Sequence, residues 1–164
     1  MRIAIVTLGT HGDVQPYVAL GLGLKRAGHH VTVVTHRQFS PFVTRHGLEC
    51  APLSLAPLAG LAGEKRSLGL TAADTTLRSF QSILKSMESL ARQLALECWS
   101  ACGAADVIMC SVLGALIGYH VAEKLGAPFY PAYLHNLIRT QAYPSMLAPL
   151  APLSRPYNWA SYSL

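Results

Sequence analysis

A chain of 164 residues is long enough for one domain with its own hydrophobic core. Hydrophobic residues make up 51% of it and charged residues 13%, and ordinary globular proteins carry about 25% charged residues. The net charge is +5, and the basic residues are scattered along the sequence rather than clustered. This distribution argues against a protein that binds nucleic acid.

Apolar runs alternate with helical segments in the first part of the chain. Buried parallel strands are predicted at residues 3–8, 31–35 and 49–53. A helix is predicted at 14–27, ending at Gly28, and a shorter one at 39–46, ending at Gly47. A strand, a crossover helix and a second strand make a βαβ unit.

The alternation continues to residue 133. Residues 56–70 have no apolar stripe and are predicted to be a mobile loop, and an amphipathic helix is predicted from Thr71 to near Gly103. Further strands are predicted at 107–110 and 128–133, with a helix at 113–125 between them. This order predicts an α/β fold with a Rossmann-like, doubly wound parallel sheet.

The last segment of the sequence, 134–164, is rich in proline, so we expect a loop there followed by the start of a helix at about Tyr157. We therefore predict a single domain over 1–164. No run of about 18 apolar residues occurs, and no membrane span is expected.

The spacing of the cysteines bears on whether the protein binds a metal and where in the cell it is located. The four cysteines are Cys50, Cys98, Cys102 and Cys110, and their spacing fits no zinc module. Cys98 and Cys102 lie one helical turn apart, where two buried thiols are more common than a metal pair. We expect no metal and a cytoplasmic location, with peripheral contact to a membrane surface.

The turn after the first strand is the first candidate site, because ligands of an open parallel sheet bind beyond the carboxyl ends of its strands. Its residues are Gly9, Thr10, His11, Gly12 and Asp13, followed by Val-Gln-Pro. Two glycines permit a tight turn close to a ligand, and the following helix offers N–H groups to it. The turn lacks the GxGxxG of dinucleotide-binding proteins.

Spacing alone leaves two roles open for Asp13. Aspartate is a preferred helix cap, and Pro16 is compatible with a first helical turn. A carboxylate here could also take a proton from a bound hydroxyl. Farther along, Gly21 and Gly23 fall inside the predicted helix, where we expect them to serve packing.

The motif GTHGDVQP at 9–16 resembles the opening of sterol-type glucosyltransferases, and glycopeptide-antibiotic glycosyltransferases and bacterial rhamnosyltransferases of lipids share its style. The resemblance continues through YVALG at 17–21, KRAGH at 25–29 and HGLE at 46–49. It returns in VAEKLGAP at 121–128. The middle of the chain matches only in its helical character.

The resemblance implies the N-terminal, acceptor-binding domain of a GT-B glycosyltransferase. It also implies inverting transfer of a hexose from a nucleotide-sugar, UDP- or dTDP-linked, to an apolar acceptor such as a lipid, sterol or natural product. No further cofactor is implied. In the family motif, the position of Asp13 is the candidate base, and Arg139 belongs to a segment beside the acceptor cleft.

Three other residues are weaker candidates. His11 stands where the family commonly has Arg or Ser, and could polarise an acceptor hydroxyl or contact a phosphate. Ser111 and His135 follow predicted strands and could line the same crevice. The alternative for both is an ordinary polar residue at a strand end.

The donor-binding domain of the family lies outside this sequence, so we expect it as the main partner and expect the chain alone to be inactive. The low charge content predicts an exposed apolar face and self-association through it. A rival interpretation is a non-catalytic domain that docks onto, or activates, a separate transferase. A flavodoxin-like binding module is a weaker rival, because no phosphate-binding Ser/Thr cluster follows the first strand.

Overall fold

Short runs of apolar and β-branched residues form a parallel sheet in this computed structural model, which describes residues 1–54, 91–134, 139–145 and 155–163. Within those residues the sheet has five strands: β1 Arg2–Val6, β2 His30–His36, β3 Glu49–Leu53, β4 Val107–Cys110 and β5 Phe129–Pro131. Their order is β3-β2-β1-β4-β5, and every pairing is parallel. The doubly wound α/β sheet predicted from the sequence is confirmed.

Helices alternate with these strands along the chain, and one further helix follows the last strand. Their bounds are α1 His11–Arg26, α2 Ser40–Arg45 after a 3₁₀ turn at Arg37–Phe39, α3 at 91–102, α4 Val112–Leu125 and α5 Arg155–Ala160, which leads into a 3₁₀ turn at Ser161–Ser163. The predicted end of the long helix near Gly103 is confirmed. The predicted loop at 56–70, and the part of that helix before residue 91, lie outside the described residues.

Alternate strand residues build two cores on opposite faces of the sheet, because successive side chains of a strand point to opposite sides. Ile5 and Val33 are buried on one face with Val14 and Val18 of α1. A second set is buried on the other face: Val6, Val34, Leu94, Cys98, Ile108 and Val121. The sheet is thus covered on both sides, as parallel sheets require.

Helix α4 lies directly against the sheet because it carries glycines where it meets the strands. A Cβ atom at Gly114 would collide with the carbonyl of Val6, and one at Gly118 would collide with the sulfur of Cys110. In α1, a Cβ at Gly21 would lie 2.9 Å from Leu48 Cδ1, so its predicted packing role is confirmed. The same prediction is wrong for Gly23, which faces open space.

The cysteines are free thiols. Cys98 and Cys102 are buried with their sulfur atoms 3.9 Å apart, and burial raises the pKa of the nearby Cys110 to about 12. Across the described ranges, no three His, Cys, Asp or Glu residues are grouped to hold a metal ion. In the same ranges no helix is long and apolar enough to cross a membrane.

The chain divides into two compact units, Met1–Ala132 with the sheet and Tyr133–Leu164. In the second unit, the guanidinium of Arg139 lies 3.5 Å from the ring centre of Trp159, and its Nε donates to the Trp159 carbonyl at 3.0 Å. Helix α5 begins at Arg155, two residues before the predicted start, because Pro156 is tolerated in a first helical turn.

Candidate active site

The switch point of the sheet lies between β1 and β4. The chain proceeds outward from β1 through β2 to β3, whereas β4 and β5 lie on the other side of β1. Ligands of such sheets bind in the crevice at this point, beyond the carboxyl ends of the strands. The turn after β1 and the residue after β4 meet here: Ser111 N–H donates to Val6 O at 3.0 Å, and Leu8 N–H donates to Ser111 Oγ at 3.4 Å.

Gly9 has the backbone conformation that makes this turn possible. Its φ of 131° is a conformation that side-chain-bearing residues rarely adopt. A Cβ atom here would also collide with the carboxylate of Asp13. Gly9 is buried, and its N–H donates to Nε2 of His36 at 3.2 Å. The turn therefore requires glycine both for its backbone and for the space that the carboxylate occupies.

Helix α1 begins at His11, three residues before the predicted start. Thr10 is the N-cap, and Asp13, the third residue of the helix, reaches back to it as in a capping box. The prediction that His11 and Gly12 lie in a loop is therefore wrong, since both belong to the first helical turn. Pro16 falls in the second turn rather than the first.

Asp13 is partly buried and firmly held. Its Oδ2 accepts the Thr10 N–H at 2.7 Å and the Thr10 hydroxyl at 2.9 Å, and its backbone carbonyl accepts the Thr7 hydroxyl at 2.8 Å. Among the described residues, nothing donates a hydrogen bond to its other carboxylate oxygen, Oδ1. The helix-capping role and the proton-accepting role are therefore compatible, because they use different oxygens.

Aromatic side chains pack around His11, two residues before Asp13. The exposed ring of His11 lies 4.6 Å from the ring of Phe42 and 6.1 Å from that of Phe39, measured between ring centres. Phe42 in turn lies 4.7 Å from the ring of His46. Gly12 is exposed and adds no side chain over the helix N-terminus. The first turn of α1 thus forms an aromatic cluster with Phe39 and Phe42.

The other predicted site residues have different surroundings. Ser111 is 4% exposed, and its hydroxyl accepts the Gly114 N–H at 3.0 Å as the N-cap of α4. This geometry matches the alternative of a strand-end polar residue. His135 lies outside the described residues, and Arg139 belongs to the second unit, against Trp159.

Sequence reasoning missed two residues of the site, Thr7 and His36. Both are buried at the carboxyl ends of neighbouring strands, where they hold the turn around Asp13 from two sides. The available signal was the polar residue that ends each β-branched run. The direction in which each side chain points could not be obtained from that signal.

Known proteins share this fold and much of this sequence. A profile of the glycosyltransferase family 28 N-terminal domain matches residues 3–144. The chain belongs to this family. The resemblance derived from the motif at 9–16 is thereby confirmed.

Relatives in the family include sterol glucosyltransferases. The sterol 3-beta-glucosyltransferase of Pichia angusta is 33% identical over 162 residues, which are 98% of this chain and 13% of that protein. The UDP-sugar-dependent glycosyltransferase 52 of Dictyostelium discoideum is 33% identical over 152 residues, 92% of this chain and 9% of that protein. The chain thus spans a small part of the length of these relatives.

Among solved structures, the calicheamicin glycosyltransferase CalG4 superposes with a TM-score of 0.59 at 19% sequence identity. The superposition covers 80% of this chain and 32% of CalG4. At this identity the likeness concerns the fold, which is that of one part of a GT-B glycosyltransferase.

Proposed function

We propose that this family 28 domain forms the acceptor-binding side of an inverting glycosyltransferase, with Asp13 as the general base. The observation that carries the proposal is the state of the Asp13 carboxylate at the switch point. Thr10 holds one oxygen in place, and the other has no donor among the described residues. A fixed carboxylate with an available lone pair is suited to take a proton from a bound hydroxyl.

The proposed step is a direct displacement. The acceptor hydroxyl gives its proton to Oδ1 of Asp13 while its oxygen forms a bond to the anomeric carbon of the sugar. The bond from that carbon to the diphosphate oxygen breaks, and its electron pair leaves with the nucleoside diphosphate. Attack opposite the leaving group inverts the configuration at the anomeric carbon.

The proposed acceptor is an apolar alcohol, such as a sterol, lipid or natural product. The rings of His11 and Phe42 offer aromatic surface two residues before Asp13, and the exposed Gly12 between His11 and Asp13 adds no side chain. Sterol 3-beta-glucosyltransferases among the relatives support this class. We expect the acceptor to contact the His11 ring. The aromatic neighbours of His11 favour this role over contact with a phosphate.

The proposed donor is a UDP- or dTDP-hexose that a second domain binds. One relative is described as dependent on UDP-sugars. Holding donor and acceptor in line contributes roughly 7–11 kcal/mol to such reactions. We therefore expect these 164 residues alone to bind nucleotide-sugar weakly and to transfer no sugar. Calorimetry with UDP-glucose and dTDP-glucose checks this expectation.

The test of Asp13 uses a chimera in which residues 1–164 replace the matching segment of the Pichia angusta enzyme. Asp13→Asn keeps an oxygen that can accept the Thr10 N–H but removes the proton acceptor. We expect kcat for sterol glucosylation to fall by about 10²–10⁴ with little change in the acceptor KM.

The matched control is Asp106→Asn. Asp106 is a carboxylate at the amino end of the sheet that pairs with Arg2 at 3.1 Å on the exposed surface. This change should leave kcat as it is, because exposed ion pairs contribute little. If the turnover of Asp13→Asn stays within a few-fold of the parent, Asp13 only organises the turn, and a non-catalytic docking domain becomes the better interpretation.

A further inference from the structure

We propose that His36 is a positioning residue for Asp13. The neutral imidazole accepts the N–H of Gly9 and so fixes the turn that holds the carboxylate. The catalytic consequence rests on the proposed function of Asp13, but the contact itself can be tested without any substrate.

Gly9 is buried, and a buried N–H without an acceptor destabilises the fold, so almost all such groups are paired. Nε2 of His36 is an acceptor 3.2 Å away, on a ring that is 2% exposed at the end of β2. An accepting Nε2 carries a lone pair, so the proton of the neutral ring is on Nδ1.

The backbone links the contact between Gly9 and His36 to the Asp13 carboxylate. The peptide after Gly9 leads directly to Thr10, whose N–H and hydroxyl both donate to Asp13 Oδ2. Rotation of the Gly9 backbone away from its φ of 131° would carry Thr10 away from the carboxylate. It would also alter the space beside Gly9 that the carboxylate fills. His36 therefore acts on the orientation of Asp13 through the backbone of Gly9 and Thr10.

Thr7 holds the opposite side of the turn. The Thr7 hydroxyl donates to the Asp13 backbone carbonyl at 2.8 Å and is itself completely buried. This contact holds the backbone of Asp13 but not its carboxylate. Of the two buried contacts, the one from His36 is thus the one that determines the conformation between Gly9 and Thr10.

The experiment is NMR on the 164-residue chain with ¹⁵N-labelled histidine and backbone amides. In the unchanged chain we expect His36 to carry its proton on Nδ1 at neutral pH, with Nε2 unprotonated. A His36 ring protonated on Nε2 would overturn the proposal, and this measurement requires no variant to fold.

Two substitutions then separate hydrogen bonding from packing. His36→Phe retains a ring but has no acceptor, and we expect amide exchange at Gly9 and Thr10 to become about tenfold faster. His36→Gln places an amide oxygen near the position of Nε2 and should restore slow exchange. His120→Phe, which changes an exposed histidine on α4, is the control and should leave both amides as they were. Unchanged exchange in His36→Phe, or equal loss in His36→Gln, would contradict the proposal.

The same variants in the Pichia chimera give the catalytic readout. His36→Phe should lower kcat with the acceptor KM unchanged, and His36→Gln should recover most of the loss. If the amide results hold while Asp13→Asn retains full turnover, the proposed function fails and the positioning contact stands. If amide exchange is unchanged in His36→Phe while Asp13→Asn loses turnover, the positioning role of His36 fails and the proposed function of Asp13 stands.

Discussion

The turns after β1 and β4 have the same design but different chemistry. Each begins a helix with a hydroxyl residue at the N-cap, Thr10 in one and Ser111 in the other. The Ser111 hydroxyl accepts a hydrogen bond from the backbone of Gly114, three residues on. The Thr10 hydroxyl donates one to the carboxylate of Asp13, also three residues on.

This difference shows how a structural motif is converted into a candidate active site. At β4 the third helical residue is a glycine, the cap is buried, and the helix packs tightly on the sheet. After β1 the third residue of the helix is Asp13. Its Oδ2 accepts both hydrogen bonds from Thr10, and its Oδ1 accepts none from the described residues. The β4 turn should therefore control stability, and the β1 turn should control sugar transfer.

The largest stability effect is expected at the β4 turn, for Gly114→Ala. The added methyl group meets the backbone carbonyl of Val6, so α4 must move away from the sheet. Overpacking of this kind costs about 3 kcal/mol in the free energy of unfolding, measured by urea denaturation. Gly23→Ala, where a Cβ meets open space, is the control and should be neutral or stabilising. A loss below about 1 kcal/mol for Gly114→Ala would show that α4 is not closely packed on the sheet.

The corresponding change at the β1 turn is Gly9→Ala. Its φ of 131° is strained for alanine, and the methyl group displaces the Asp13 carboxylate. We expect a stability loss of about 2 kcal/mol, together with loss of transfer in the chimera. Retained transfer at reduced stability would indicate that the carboxylate position is unimportant.

A third comparison sets the two caps against each other. Ser111→Ala should lower the free energy of unfolding by about 1 kcal/mol and leave the transfer rate unchanged. Thr10→Val, which removes a hydroxyl from an exposed residue, should change stability less and lower the transfer rate more. Denaturation and turnover measured on both variants check the contrast. The opposite pattern would assign the chemistry to the β4 turn.

The smallest effect is expected for Gly12→Ala in the first turn of α1. Alanine is favoured over glycine inside a helix, and the nearest atom to the new Cβ, outside the helix backbone, is Thr10 Oγ1 at 3.8 Å. Stability should rise by about 0.5–1 kcal/mol. The acceptor KM should rise, because the methyl group adds bulk to the exposed residue next to Asp13. Unchanged KM would place the acceptor elsewhere.

The sheet and most helices could be predicted from the sequence, because β-branched runs and the glycines that end helices are local signals. The start of α1 could not be placed from residue spacing alone. At Thr10 the neighbouring Asp13 is itself a preferred cap, and the two starts compete.

The parts of the site that could not be predicted depend on contacts between strands that are distant in sequence. His36 is visible as the polar end of a strand, but its contact with Gly9 requires β2 to lie beside β1 and the ring to face the turn. The need for glycine at position 114 similarly depends on the Val6 carbonyl across the sheet. Local patterns contain neither piece of information.

The role of Asp13 as proton acceptor is tested most directly with a series of phenol acceptors of one shape and decreasing hydroxyl pKa. The rate of the chimera is divided by the rate of its Asp13→Asn variant for each phenol. A base matters less as the hydroxyl becomes more acidic, so this ratio should fall steadily along the series. A ratio that stays constant would contradict proton transfer to Asp13 and leave the carboxylate with a structural role alone.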